Sequence, residues 1–187
     1  MSDLYAPKTT LALLHEHTET DSLRRHAYAV QAAMAAAARR TGNDERYWSA
    51  VGLLHDFDYE MYPEPPDHPL KGAEILRERG YPEEFVRTIL SHASYTEVPR
   101  ENDCAKWLFA VDELCGFCMA CAMVQPDRKI AQVKVKSVRK KLKKKDFAAK
   151  VNREEIDEGA ADLGLERDEV IEHVLGALVP VADELGL

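Results

Sequence analysis

The chain has 187 residues, 45% of them hydrophobic and 31% charged, with a formal net charge of −8. That length suits one folded domain with a small helical appendage, and the acidic balance argues against general or sequence-specific nucleic-acid binding. No apolar run approaches the ~18 residues of a membrane span, and the opening MSDLYAPKTT lacks a cationic stretch followed by an apolar core, so neither a membrane anchor nor a secretory leader is expected.

Alanine, leucine, glutamate, lysine and arginine dominate, which favours helix throughout and predicts an all-α fold. A short first helix is expected from Thr10 to His15. Asp21 then caps a long helix from Ser22 to about Arg40, with Leu23, Ala27, Val30, Met34 and Ala38 at helical spacing and Gly42 as its stop. Asn43 or Asp44 opens the next, which carries Trp48, Val51, Leu54 and His55 and must end before Pro63, Pro65 and Pro66.

Pro69 fits the first turn of a helix running to about Arg79 and closed by Gly80. Pro82 starts another through Phe85, Ile89 and His92. A long apolar helix is predicted from Asp103 to Val124. Beyond it come the basic segment Arg128 to Lys150, a helix after Asn152, and a last helix from Arg167 that Pro180 kinks. The domain expectation is a metal-binding helical domain over 1–125, with the basic segment and C-terminal helices of 126–187 packed on it.

The chemistry concentrates at His55-Asp56, where the apolar run AVGLLHD meets a proline-rich loop. An imidazole and a carboxylate side by side at a helix end can face one cleft and suit a divalent first-row metal. Most such dipeptides are only a histidine at a helix C-terminus beside a solvated acid. Partners strengthen this one: His26 one helix earlier, His68 and His92 on following elements, and Asp112 within WLFAVDELCGFCMA. A carboxylate in that apolar run is costly to bury unless it pairs with a basic side chain or binds metal.

The order H…HD…H…H…D in a helical context resembles the HD-domain superfamily of metal-dependent phosphohydrolases. The string LLHDFDYEMYPEPPDHPLKGAEILRERGYPEEFVRTILSHA is similar to its small bacterial members, and so is the tail VKSVRKKLKKKDFAAKVNREEI. The resemblance runs from about Leu23 to Met123. It implies an HD-domain-like helical bundle with additional C-terminal helices. It assigns His26, His55, Asp56 and Asp112 to a first metal, with Asp56 bridging to a second that His68 and His92 complete. The implied cofactors are one or two divalent transition metal ions (Mn, Fe, Co, Ni or Zn), with two favoured by the extra histidines. The implied activity is hydrolysis of a phosphate ester or anhydride, on a nucleotide or other small phosphorylated metabolite. A di-iron oxygenase using the same ligands, or a metal-stabilised ligand-sensing module, are the alternatives.

Where many members follow HD with Ile-Gly-Lys, this chain has Phe57-Asp58-Tyr59, which removes a lysine associated with phosphate. Lys71 is the expected substitute, and Lys136, Arg139, Lys140 and Lys143 share one face of the basic segment as further phosphate contacts. Asp56, Asp58 and Glu60 are the expected catalytic acids, the last two as proton shuttles. Gly80-Tyr81-Pro82 spells a phosphodiesterase signature out of its usual context and reads as a helix stop followed by a helix start. Cys115, Cys118 and Cys121 lie on one continuous helix and read as packing residues, and cysteines crowded between Cys104 and Cys121 suggest a reducing cytoplasm. His15, His17 and His173 read as surface histidines.

Overall fold

The computed structural model describes residues 3–187, and every regular element among them is helical. α1 (Pro7–His17) starts earlier than the periodicity predicts, because Pro7 takes the first helical position, where its missing N–H is harmless. α2 (Asp21–Thr41) is capped at Thr20, one residue before expectation, and ends at Gly42, whose φ of 72° lies where glycine enters without strain. α3 (Glu45–Leu54) is capped by Asp44, whose carboxylate accepts from the N–H groups of Arg46 and Tyr47.

α4 (Asp67–Glu78) departs from expectation at its start. His68 is extended (φ −77°, ψ 135°), since a residue preceding proline is driven out of the helical region, and regular helix begins only beyond Pro69. α5 (Glu83–Leu90) stops short of His92, which therefore follows the helix rather than riding on it. α6 (Asp103–Met123) is buried on almost every face, as a helix apolar all round must be. α7 (Val135–Leu142), α8 (Arg153–Asp162), α9 (Arg167–Leu178) and α10 (Ala182–Leu185) complete the chain. Pro180 ends α9 in a 3-10 turn instead of kinking it. No helix among the described residues is long and apolar enough to cross a membrane.

Three close contacts set the architecture. α2 and α3 form a tight hairpin that crosses at Gly52, where an added Cβ would lie 2.9 Å from the Val30 carbonyl oxygen. The alanine-rich face of α2 permits that approach. α8 lies on α6 just as closely, with a Cβ at Gly159 falling 2.6 Å from Ala110 Cα. α9 packs on α2 and α6 through Trp107 and His173, whose rings are 4.6 Å apart, and His173 Nε2 meets the Ala33 carbonyl at 3.0 Å. His173 is thus a half-buried packing residue, contrary to the surface assignment. His17, too, is largely covered, against the Phe57 ring, whereas His15 is exposed and bonds the Tyr28 hydroxyl.

The C-terminal helices share the core of the rest: Ile156, Val170, Val174 and Leu178 are buried with residues of α2 and α6. Arg153 ties the preceding loop down, donating to the carbonyls of Leu142, Lys144, Phe147, Ala148 and Val151. These contacts support the proposal that 126–187 forms one cooperative unit with 1–125. Chemical denaturation should then give a single transition by fluorescence and circular dichroism. Gly159→Val should lower the stability by about 1–3 kcal/mol through overpacking against Ala110. Two separable transitions would assign the tail to a unit of its own.

Candidate metal centre

The crossing at Gly52 fixes the first histidine pair. Val30 and Gly52 touch, so His26, one turn before Val30, lies opposite His55, which follows α3 directly; the two rings are 5.2 Å apart. α6 then brings Asp112 beneath both, its Oδ1 2.9 Å from His26 Nε2 and 3.3 Å from His55 Nε2. On the other side of the cleft His68 precedes the regular part of α4 and His92 follows α5. Their Nε2 atoms lie 3.2 Å and 3.1 Å from Asp56 Oδ1. The second Asp56 oxygen, Oδ2, faces His55 at 3.5 Å and His26 at 4.0 Å. The structure thus brings all six expected ligands together, as two triads: His26, His55 and Asp112, and Asp56, His68 and His92. Asp56 stands between them with one oxygen towards each.

Hydrogen bonding behind the rings shows what this arrangement requires. His55 Nδ1 donates to the Gly52 carbonyl at 2.8 Å, His92 Nδ1 to the Ile89 carbonyl at 2.6 Å, and His68 Nδ1 to Asp58 Oδ1 at 2.9 Å. Carbonyl and carboxylate oxygens only accept, so in the neutral ring the proton sits on Nδ1 and a bare lone pair on Nε2 points into the cleft. There it meets carboxylate oxygens, acceptor against acceptor. His55 Nε2 and Asp56 Oδ1 are buried without any hydrogen-bond partner. Either extra protons or metal cations must lie between them.

The local field favours cations. Burial opposes charge on His55 and His68, yet Asp56 and Asp112 outweigh it at His55, and Asp56 and Asp58 push His68 up to about 9. Despite its burial, Asp56 is held well below the usual carboxylate range by His55, His68 and His92, and Asp112 likewise by His55 and His26. Mixed imidazole and carboxylate donors of this kind suit divalent transition metals. Among the described residues no lysine or arginine ion-pairs with either aspartate, so the basic-partner alternative for Asp112 fails.

The other expected functional residues are placed differently. Asp58 is fully buried and engaged at both oxygens, by His68 Nδ1 and by the Gly72 N–H at 2.8 Å. It orients the His68 ring and is not exposed to shuttle protons. Glu60 points away: its carboxylate accepts from the N–H groups of Glu19 and Thr20 and from the Thr20 hydroxyl, pinning the loop to the start of α2. That geometry corrects the shuttle expectation for both acids. Lys71 pairs with Glu74 at 3.0 Å. Lys136, Arg139, Lys140 and Lys143 form an exposed face on α7, with Arg139 bound to Asp168. α7 packs beside the Cys121 end of α6, where Lys141 lies, ~13 Å of helix beyond Asp112. None of these cations reaches the cluster, and the Arg25 guanidinium lies against Gly186.

Cys115, Cys118 and Cys121 are buried thiols whose ionisation desolvation suppresses; they are packing residues outside the centre.

Sequence reasoning missed the surroundings of the cleft. Glu113 accepts from the Asn152 N–H at 3.2 Å, and burial beside Asp112 pushes its carboxyl up to about 7. Glu155, on α8, accepts from Ser94 Oγ at 3.2 Å. The Tyr95 hydroxyl donates to the His68 carbonyl at 2.7 Å, and the Tyr59 ring meets the His68 ring edge-on at 5.1 Å. Only Glu113, adjacent to Asp112, carried a signal that could have found it. Gly72 was equally silent, although an added Cβ would lie 2.6 Å from Asp58 Cγ.

The family model described as HD domain matches residues 23–115, a span that includes all six converging side chains. No curated protein and no solved structure matches the chain.

If Asp58 orients His68 towards a metal, Asp58→Ala should weaken one of two bound ions by roughly 10–100-fold while the His26–His55–Asp112 triad keeps its own. Elemental analysis after dialysis against limiting metal would report about one equivalent instead of two. Gly72→Ala should act in the same direction, because its methyl displaces the same carboxylate.

Proposed function

The chain belongs to the HD-domain family, and from that premise we propose that it is a metal-dependent phosphohydrolase cleaving an ester or anhydride of a small phosphorylated metabolite. The observation that carries this reading is the Asp56 carboxylate, one oxygen facing His68 and His92 and the other facing His55 and His26, where only added protons or metal cations can lie between carboxylate and imidazole. His26, His55 and Asp112 would hold one divalent transition metal ion, His68 and His92 a second, and Asp56 would join them. Such ions, when bound, supply Lewis acidity towards a phosphoryl oxygen and acidify a water at neutral pH.

The protein's own contribution is placement and exclusion. Fixed Nδ1 bonds on His55, His68 and His92 hold the rings in one tautomer, so no reorganisation is needed when charge develops. These three side chains form a nearly water-free floor, whereas His26, Asp56 and Asp112 are about one-fifth exposed and border the opening. Substrate would enter from that side.

Protein reconstituted with manganese, cobalt, nickel or zinc should release phosphate from a panel of phosphomonoesters, and chelation should abolish the release. Asp56→Ala should lower turnover by roughly a thousandfold with the helical circular dichroism retained. Oxygen consumption by an iron-loaded sample without phosphate release would instead establish the oxygenase alternative. Stable metal retention with neither reaction would point to a ligand-sensing module.

A further inference from the structure

The opening of the metal centre combines two features that belong to neither the core nor the ligand set. The first is aromatic. Tyr59, Met61, Leu70 and Tyr95 are large apolar side chains left exposed, and His68 is the point of contact for the two tyrosines. Two of them are tied to that residue: Tyr59 by ring contact, and Tyr95 by its hydroxyl bond to the His68 carbonyl. Both rings are therefore held beside the cleft.

The second feature is unbalanced negative charge. Along one face of α8, Glu158 and Asp162 are both neutralised by Arg100. Glu155, one turn earlier on the same face, receives only the Ser94 hydroxyl. Glu113 receives only the Asn152 N–H. Neither makes an ion pair among the described residues, and each keeps one oxygen without a hydrogen-bond partner. The carboxyl of Glu155 is raised by burial and by its acidic neighbours Asp112 and Glu158, as expected where no cation balances it.

Aromatic faces beside uncompensated carboxylates attract a cation that carries apolar surface, since the ring quadrupole and the negative charge act together on a poorly hydrated ammonium. A polyphosphate would meet repulsion from the same carboxylates. We infer that the opening selects a phosphate monoester whose alcohol bears an ammonium group, with the ammonium against Tyr59 and Tyr95 and facing Glu155, which Ser94 holds next to Tyr95. This inference rests on the phosphohydrolase reading. Hydrolysis breaks the P–O bond to the amino alcohol and forms one to water oxygen. One water proton passes to the departing alkoxide and the other remains with phosphate, so no co-reactant is required.

The test separates recognition from turnover. Choline and its neutral carbon isostere, 3,3-dimethylbutan-1-ol, are titrated calorimetrically into the metal-loaded protein, and phosphocholine is compared with 3,3-dimethylbutyl phosphate as substrate. Choline should bind about tenfold more tightly than the isostere, and phosphocholine should show a similar advantage in kcat/KM. Glu155→Gln and Tyr95→Leu should each collapse the ratio, whereas Tyr95→Phe, which keeps the ring, should retain it. Equal or tighter binding of the isostere would overturn the inference, as would an unchanged ratio in a correctly folded Glu155→Gln variant. A choline preference without cleavage of any phosphomonoester would sustain the recognition site and remove the phosphohydrolase reading instead.

Discussion

Asp56 faces histidine Nε2 atoms on both of its oxygens, and three of those four rings, His55, His68 and His92, already direct an Nδ1–H at another acceptor. Acceptors opposed in this way repel, and burial makes the repulsion worse by removing the water that would otherwise relieve it. A protein keeps such an arrangement only when something positive completes it. The convergence of four separate helical regions on one carboxylate is a frustrated assembly in isolation, and a well-matched one around cations.

The helices reach that point because glycines let them. Gly52 lets α3 lie against the Val30 carbonyl, and this contact sets the distance between His26 and His55. Gly72 leaves room for the Asp58 carboxylate, which in turn aims His68. Gly159 brings α8 onto Ala110 and so carries Glu155 to the edge of the cleft. In each case an added Cβ would meet a neighbour at under 3.0 Å and force it to shift. The price is conformational entropy in three helices that would be stiffer with alanine.

The layer behind the ligands also explains a departure from the family pattern. Where many members carry glycine after the HD pair, this chain carries Asp58, buried and bonded to both His68 and Gly72. The following position offers Tyr59, a ring beside the cleft, in place of a lysine. A cation that would contact phosphate is exchanged for an orienting acid and an aromatic face. With Glu113 and Glu155 unpaired nearby, the surroundings of this centre are acidic and aromatic rather than basic.

Local chemistry wrote the helices and most of their stops into the sequence, and marked the histidines and aspartates worth following. Apolar spacing, Gly42, Asp44 and Asn152 depend only on near neighbours, and an aspartate inside WLFAVDELCGFCMA advertises a partner whatever the fold. The layers around the ligands depended on distant residues and could be seen only in three dimensions. Asp58 and Glu60 look alike as loop acids, yet one is buried beneath His68 and the other is drawn out to Thr20. The lysines of α7 look suited to phosphate, yet α7 packs beside the far end of α6. Glu155 carries no sign of the cleft at all until Gly159 seats its helix on Ala110. Periodicity and residue type fix what each segment is, because those forces act within a few turns. Which side chains meet is decided by helix crossings, whose geometry depends on contacts between residues far apart in the chain.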